Sequence, residues 1–151
     1  VASVRVDMGC PQVGEPLELM AAGRSWTVTP VSMGNPHGVL FVDRLEALDL
    51  ERLGPQFEHH PAFPQGINTE FVACLAPDRL TIRVWERGSG ATLACGTGAC
   101  AALAAAVVQG RTGRQVSAQL PGGVLELSWP SNGTICMTGP AETVFEGEYP
   151  L

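Results

Sequence analysis

The chain has 151 residues, of which 45% are hydrophobic and 16% charged, with a net charge of −6. That length and apolar content suit one globular domain with a sizeable core. The acidic balance argues against a nucleic-acid partner, because phosphate neutralisation needs clustered Lys and Arg and the nine basic residues here are scattered.

The first element predicted is a half-buried strand, where Val4, Val6 and Met8 alternate with Arg5 and Asp7 up to Gly9. Leu17 to Met20 and Trp26 to Val31 then suggest a hairpin about Ala22-Gly23-Arg24, and Gly38 to Val42 a short apolar strand ending at Asp43. Between Asp49 and His60 the spacing of Leu50, Leu53 and Phe57 is helical, with Pro55 suited to a first helical position. Ile67 to Leu75 and Leu80 to Trp85 are β-rich, separated by Ala76-Pro77-Asp78.

One strong helix follows, from about Gly98 to Gln109, closed by Gly110 and apolar nearly all round, as a buried helix is. Arg111 and Arg114 just beyond it read as solvated charges at a helix end. Val116 to Leu120, Val124 to Trp129, Thr134 to Thr138 and Thr143 to Tyr149 read as further strands. The fold class expected is α+β in a single domain over residues 1–151, mainly antiparallel, with a strongly curved sheet wrapped around one buried central helix.

No apolar run approaches the about 20 residues that span a bilayer. Five cysteines, an odd number without paired C-x-x-C spacing, make neither a disulfide framework nor a zinc site, and read as reduced thiols of a cytoplasmic protein. The opening on Val1 rather than Met suggests residues upstream.

The most informative stretch runs Trp85-Glu86-Arg87-Gly88-Ser89-Gly90-Ala91-Thr92-Leu93-Ala94-Cys95-Gly96-Thr97-Gly98. A strand ends in a Gly-rich loop and a helix opens directly after Cys95. Helix N-termini present unpaired N–H groups and partial positive charge, so this one favours a carboxylate, with Gly96 and Gly98 clearing the approach and Thr97 adding a hydroxyl. The same field lowers a thiol pKa and makes Cys95 a candidate base near neutral pH. The alternative is that Cys95 is a small buried hydrophobe and the glycines are turn residues.

Three further segments bear on this. Asn35 and His37, in a polar turn between apolar strands, have the chemistry to contact a ligand and exchange protons, although a lone His between strands is commonly structural. Asn68 leads into the strand Thr69-Glu70-Phe71 and is a second candidate contact, or a turn residue only. Glu86 and Arg87 have the charges to grip an amino group and a carboxylate, or are simply solvated.

Taken in order, Gly34-Asn35-Pro36-His37, Phe63-Pro64-x-Gly66-Ile67-Asn68-x-x-Phe71, and Glu86-Arg87-Gly88-Ser89-Gly90 followed by Ala94-Cys95-Gly96-Thr97-Gly98 resemble motifs of the diaminopimelate epimerases. Val6-Asp7-Met8-Gly9-x-Pro11 resembles the start of that family's second domain. The resemblance implies an isomerase that uses neither pyridoxal phosphate nor metal. One thiolate removes the Cα proton of LL- or meso-diaminopimelate and a second thiol on the opposite face returns one, a step of lysine and cell-wall precursor biosynthesis. It implies Cys95, His37 and Glu86 as catalytic residues, and Asn35, Asn68, Glu86, Arg87, Gly96 and Thr97 as substrate contacts.

The family's other cysteine lies in a Cys-Gly-Asn-Gly motif of its first domain, and that motif does not occur here. Cys100 lies about one and a half helical turns beyond Cys95 and cannot reach the opposite face of a bound Cα. The chain is therefore expected to be a C-terminal half, inactive alone, that needs an N-terminal domain or a sister half, with a homodimer as one arrangement. Three other readings stay open: a proline racemase-like isomerase, a cysteine nucleophile with His37 as base, and a non-catalytic ligand-binding or pairing module.

Overall fold

A computed structural model describes residues 2–151. Among the described residues, eleven strands, two α-helices and one short 3-10 helix (Leu45–Ala47) follow one another. The strands β1 (Ala2–Asp7), β2 (Gln12–Val13), β3 (Leu17–Ala21), β4 (Arg24–Ser32) and β5 (Pro36–Phe41) precede helix α1 (Leu50–Glu58). Next come β6 (Asn68–Ala76), β7 (Arg79–Glu86), β8 (Gly90–Thr92) and helix α2 (Gly96–Val108), and then β9 (Gln115–Leu120), β10 (Gly123–Ser128) and β11 (Cys136–Ala141).

The strands form one mixed sheet in the order β1-β11-β10-β9-β7-β6-β5-β4-β2, with β3 added on β4 and β8 on β7. Two pairings are parallel, β5 with β6 and β7 with β9, and the others are antiparallel. The parallel steps arise because a helix carries the chain across each of them: α1 lies between β5 and β6, and α2 between β7 and β9.

The central strands are covered on both faces, so they read as continuous apolar runs rather than alternations. Val39, Val72 and Val84 point into the core around α2, while their neighbours Leu40, Phe71 and Trp85 point into a second core under α1. Every residue from 99 to 106 of α2 is fully buried. Its small side chains let β2, β4, β5, β6, β7 and β10 all approach it. On the other face, Phe57 of α1 packs edge-on against Trp26 and Phe71, with ring centroids 5.7 and 5.9 Å apart. A Cβ on Gly54 would fall 2.0 Å from the Trp85 ring, so α1 lies on that indole more closely than any side chain allows.

Three expectations are corrected. β1 is exposed along its whole length, not half-buried, because it pairs with β11 only at the sheet edge and nothing in the described residues covers either face. Residues 143–149 form no strand: β11, the strand just before them, already has β10 and β1 on its two edges, so the segment cannot fold back onto it, and Val144, Phe145 and Tyr149 stay exposed. Pro55 sits inside α1, not at its first position. The helix starts earlier because the Asp49 carboxylate accepts the Arg52 N–H, a cap that contributes about 1 kcal/mol. No helix among the described residues is long and apolar enough to cross a membrane.

Candidate functional site

The site gathers where β5 begins, where β6 begins and β7 ends, and where α2 starts. After Glu86 the chain reverses in a tight turn, with Gly88 and Gly90 both at φ 79°, and returns as β8 before reaching Cys95. Cys95 is the N-cap of α2, in extended backbone, and its Sγ accepts the Gly98 N–H at 3.3 Å. The helix therefore opens immediately after the sulfur, two residues earlier than its apolar run suggested. The N–H groups of Gly96 and Thr97, in the first turn, have no partner further back in the helix.

Asn35, His37, Thr97 and Cys95 are joined by hydrogen bonds across sixty residues of sequence. Asn35 Nδ2 donates to Thr97 Oγ1 at 3.2 Å, and His37 Nε2 lies 3.1 Å from both Asn35 Oδ1 and Thr97 Oγ1. Thr97 Oγ1 is 3.7 Å from Cys95 Sγ. Behind them is Glu70, which the sequence reading passed over: its Oε1 lies 2.6 Å from His37 Nδ1, and both side chains are wholly buried. Desolvation pushes the Glu70 carboxyl up to about 7, against the opposing pull of His37. The signal was a carboxylate inside a strand otherwise buried on both faces.

Gly98 is required from within. A Cβ there would meet Glu70 Oε1 at 2.6 Å and Cys95 Sγ at 3.1 Å. At Gly96 a Cβ would meet the flexible ends of Met137, at 3.0 Å, and Met8, at 3.7 Å. Gly98 thus clears space for the buried carboxyl, not for an incoming ligand.

The Cys95 thiol departs from expectation. Burial raises its pKa above the ordinary thiol value, and the charges of Glu70 and Glu86 push the same way, while hydrogen bonds from Thr97 and Gly98 pull down. Desolvation of the half-buried sulfur outweighs the helix-end donors in this chain. Cys100 is fully buried and its thiol is pushed up to about 12, chiefly by desolvation.

Asn68, Glu86 and Arg87 border this cluster. The Asn68 amide is already engaged at both ends, donating to Pro36 O at 3.0 Å and accepting the Arg87 N–H at 2.8 Å. It ties the start of β5 to the end of β7. The Arg87 guanidinium donates to Gln65 O, and Glu86 Oε1 accepts the Thr92 hydroxyl at 2.7 Å. A second carboxylate missed in the sequence, Glu58, accepts Trp85 Nε1–H at 2.8 Å and Gly88 N–H at 2.7 Å, fixing the turn that carries Arg87. A cleft of about 390 Å³ lined by Val13, Pro30, Phe63 and Ile67 abuts His37.

Comparison with known proteins gives the family. The diaminopimelate epimerase family profile matches residues 29–144. A diaminopimelate epimerase of Acaryochloris marina is 59% identical over 92% of this chain, and one of Cyanothece sp. is 53% identical over 95%. The chain spans about half the length of these curated relatives, 49% and 57% respectively. Among solved structures, a protein described as a predicted epimerase of Pseudomonas aeruginosa superposes with TM-score 0.65 at 19% identity, covering 95% of this chain and 59% of that one. A probable proline racemase of Agrobacterium radiobacter, solved with bound carbonate, gives TM-score 0.66 at 17% identity over 91% of this chain and 50% of its own. At those identities the likeness is one of fold. The chain belongs to the diaminopimelate epimerase family.

Proposed function

We propose that this chain is the C-terminal half of a two-thiol epimerase that interconverts LL- and meso-diaminopimelate without pyridoxal phosphate, with Cys95 as one of its two acid/base groups. The observation that carries the reading is the seat of Cys95: a sulfur at the mouth of a buried helix, beside free N–H groups and a cluster of polar side chains. The relatives matching at 53–59% identity are named for this activity, which favours it over a proline racemase-like reading that has only the fold in support.

The substrate's carboxylate next to Cα binds at the N–H groups of Gly96 and Thr97 and at the remaining N–H of Asn35, and these donors stabilise the charge that develops as the Cα proton leaves. As thiolate, Cys95 takes that proton and becomes the thiol; in the reverse direction its thiol gives the proton to the carbanion. A thiol from an N-terminal domain or sister half acts on the opposite face. Glu86 and Arg87 face the substrate's charged groups, Asn68 holds their strand in place, and His37 supports Cys95. Closing the partner half over the site removes water and strengthens these contacts.

The sheet is read as curling strongly around α2, since strands from β2 through to β10 touch that helix. Five free cysteines suit a reducing cytoplasm. Pairing of two chains into a homodimer is one way to supply a second wall.

The test is stereochemical inversion and deuterium uptake at Cα by the full-length protein and by its Cys95→Ser variant. Loss of inversion in the variant is expected, and full inversion by it would refute the assignment. The isolated chain should leave optical rotation unchanged; sustained turnover by it would refute the half-site reading.

A further inference from the structure

The buried Glu70–His37 pair determines which way every hydrogen in the cluster points, and this follows from counting protons and lone pairs. Both side chains are sealed from water, and Glu70 Oε2 has no hydrogen-bond partner among the described residues. A carboxylate beside a neutral imidazole would leave a net negative charge and an orphaned anionic oxygen in the interior, at high cost. The pair therefore keeps its proton and is neutral overall. That proton sits on Glu70 or on His37 Nδ1, within the 2.6 Å contact. In either case Nε2 carries its own hydrogen, and it faces Asn35 Oδ1, a pure acceptor, at 3.1 Å.

The consequence reaches the sulfur through Thr97. Its Oγ1 receives the Asn35 Nδ2–H at 3.2 Å and lies 3.1 Å from His37 Nε2–H. The single Nε2–H is shared between Asn35 Oδ1 and Thr97 Oγ1, so both neighbours present hydrogens to Oγ1 and the Thr97 hydroxyl hydrogen turns to its remaining neighbour, Cys95 Sγ at 3.7 Å. The sulfur thus receives two donors, Thr97 O–H and Gly98 N–H, and its own hydrogen, when present, is turned away from both.

We propose that Glu70 is a positioning residue for Cys95: by sharing one proton with His37 it fixes Nε2 as a donor, which turns the Thr97 hydroxyl onto the sulfur. His37 is then no base for Cys95, since its outer nitrogen has no lone pair to offer. The proposal deepens the epimerase reading and rests on it for its purpose. Its measurements involve no substrate, so each can fail without the other.

Two readouts on the full-length protein test it. NMR of the imidazole nitrogens should find Nε2 protonated at about pH 7; a neutral His37 protonated only at Nδ1 would overturn the proposal. The second is the pH midpoint of Cys95 alkylation by iodoacetamide, resolved by peptide mass spectrometry. Losing one donor to a thiolate raises that midpoint by about one pH unit. Glu70→Met and Thr97→Val should each show the rise. Glu70→Gln, whose amide N–H can donate to Nδ1, and Thr97→Ser should keep the wild-type midpoint. A Glu70→Gln shift as large as that of Glu70→Met would refute the mechanism. Circular dichroism checks each variant's fold, and should Glu70→Met not fold, the wild-type imidazole spectrum and the Thr97 pair still decide.

Discussion

Replacing Gly54 by Ala pits two magnitudes against each other. In a helix interior Ala is favoured over Gly by about 1 kcal/mol, so propensity alone says that Gly54→Ala stabilises α1. The packing says otherwise. The added Cβ would lie 2.0, 2.4 and 2.5 Å from three atoms of the Trp85 ring, which is a rigid plane and not the free end of a side chain. Either α1 or the indole must shift, and overpacking of this kind costs about 1–3 kcal/mol, with so deep an overlap at or above the top of that range. The net expectation is a loss of about 2 kcal/mol, or a fall in melting temperature of about 4–8 °C. The damage should reach the site, because Trp85 and Gly88 both donate to Glu58 and that carboxylate fixes the turn carrying Arg87. Urea unfolding of wild type and variant measures the loss. A midpoint equal to or above wild type would refute the claim that the Trp85 ring, and not helix propensity, dictates Gly54.

Other substitutions probe the site. Gly98→Ala should cost about 1–2 kcal/mol in urea unfolding, its Cβ meeting Glu70 Oε1 at 2.6 Å, whereas Gly96→Ala should stay within about 0.5 kcal/mol because Met137 can swing aside. Asn68→Ala should destabilise by about 1–3 kcal/mol, since Pro36 O and the Arg87 N–H lose their partner; unchanged stability would make Asn68 a ligand contact only. The raised pKa of Glu70 means the folded chain holds a proton that the unfolded chain releases between pH 4.5 and about 7. In that window the native state binds more protons, so this carboxyl's contribution to stability is lost as pH rises. Melting temperatures across it should fall more steeply for wild type than for Glu70→Gln, and parallel curves would contradict the burial argument.

Much of the fold was open to reading because the central elements follow local rules. The hairpin at Ala22-Gly23, the β6–β7 pair and the buried helix α2 all carry their own periodicity and turn residues, and each is found with ends shifted by a few residues. What failed has a common cause. β1 and residues 143–149 have similar alternating patterns, yet one is a strand and the other is not, and the difference lies in which edge of β11 remains open. Pairing partners are a property of the whole sheet, and no window of sequence contains them. Pro55 failed for the opposite reason: one local preference, for a first helical position, yielded to another, the Asp49 cap that starts the helix earlier.

The site divides along the same line. That Cys95, Gly96 and Thr97 stand at a helix start is legible because such a start announces itself in sequence, whereas their meeting with Asn35 and His37 is seen only in the fold. The sign of the Cys95 pKa shift was not legible. A helix N-terminus argues for a lowered value, but burial and the nearby carboxylates raise it, and both enter only with the folded neighbours. Glu70 was hidden more deeply still. It occupies one position of a strand whose six leading residues are all buried, where pattern alone predicts an apolar side chain. Two facts available only in three dimensions explain it: Gly98 leaves the room and His37 supplies the partner. A carboxyl that breaks its strand's pattern is costly to bury, and here it is accommodated by a glycine on another element and by one buried partner, neither of which lies near it in sequence.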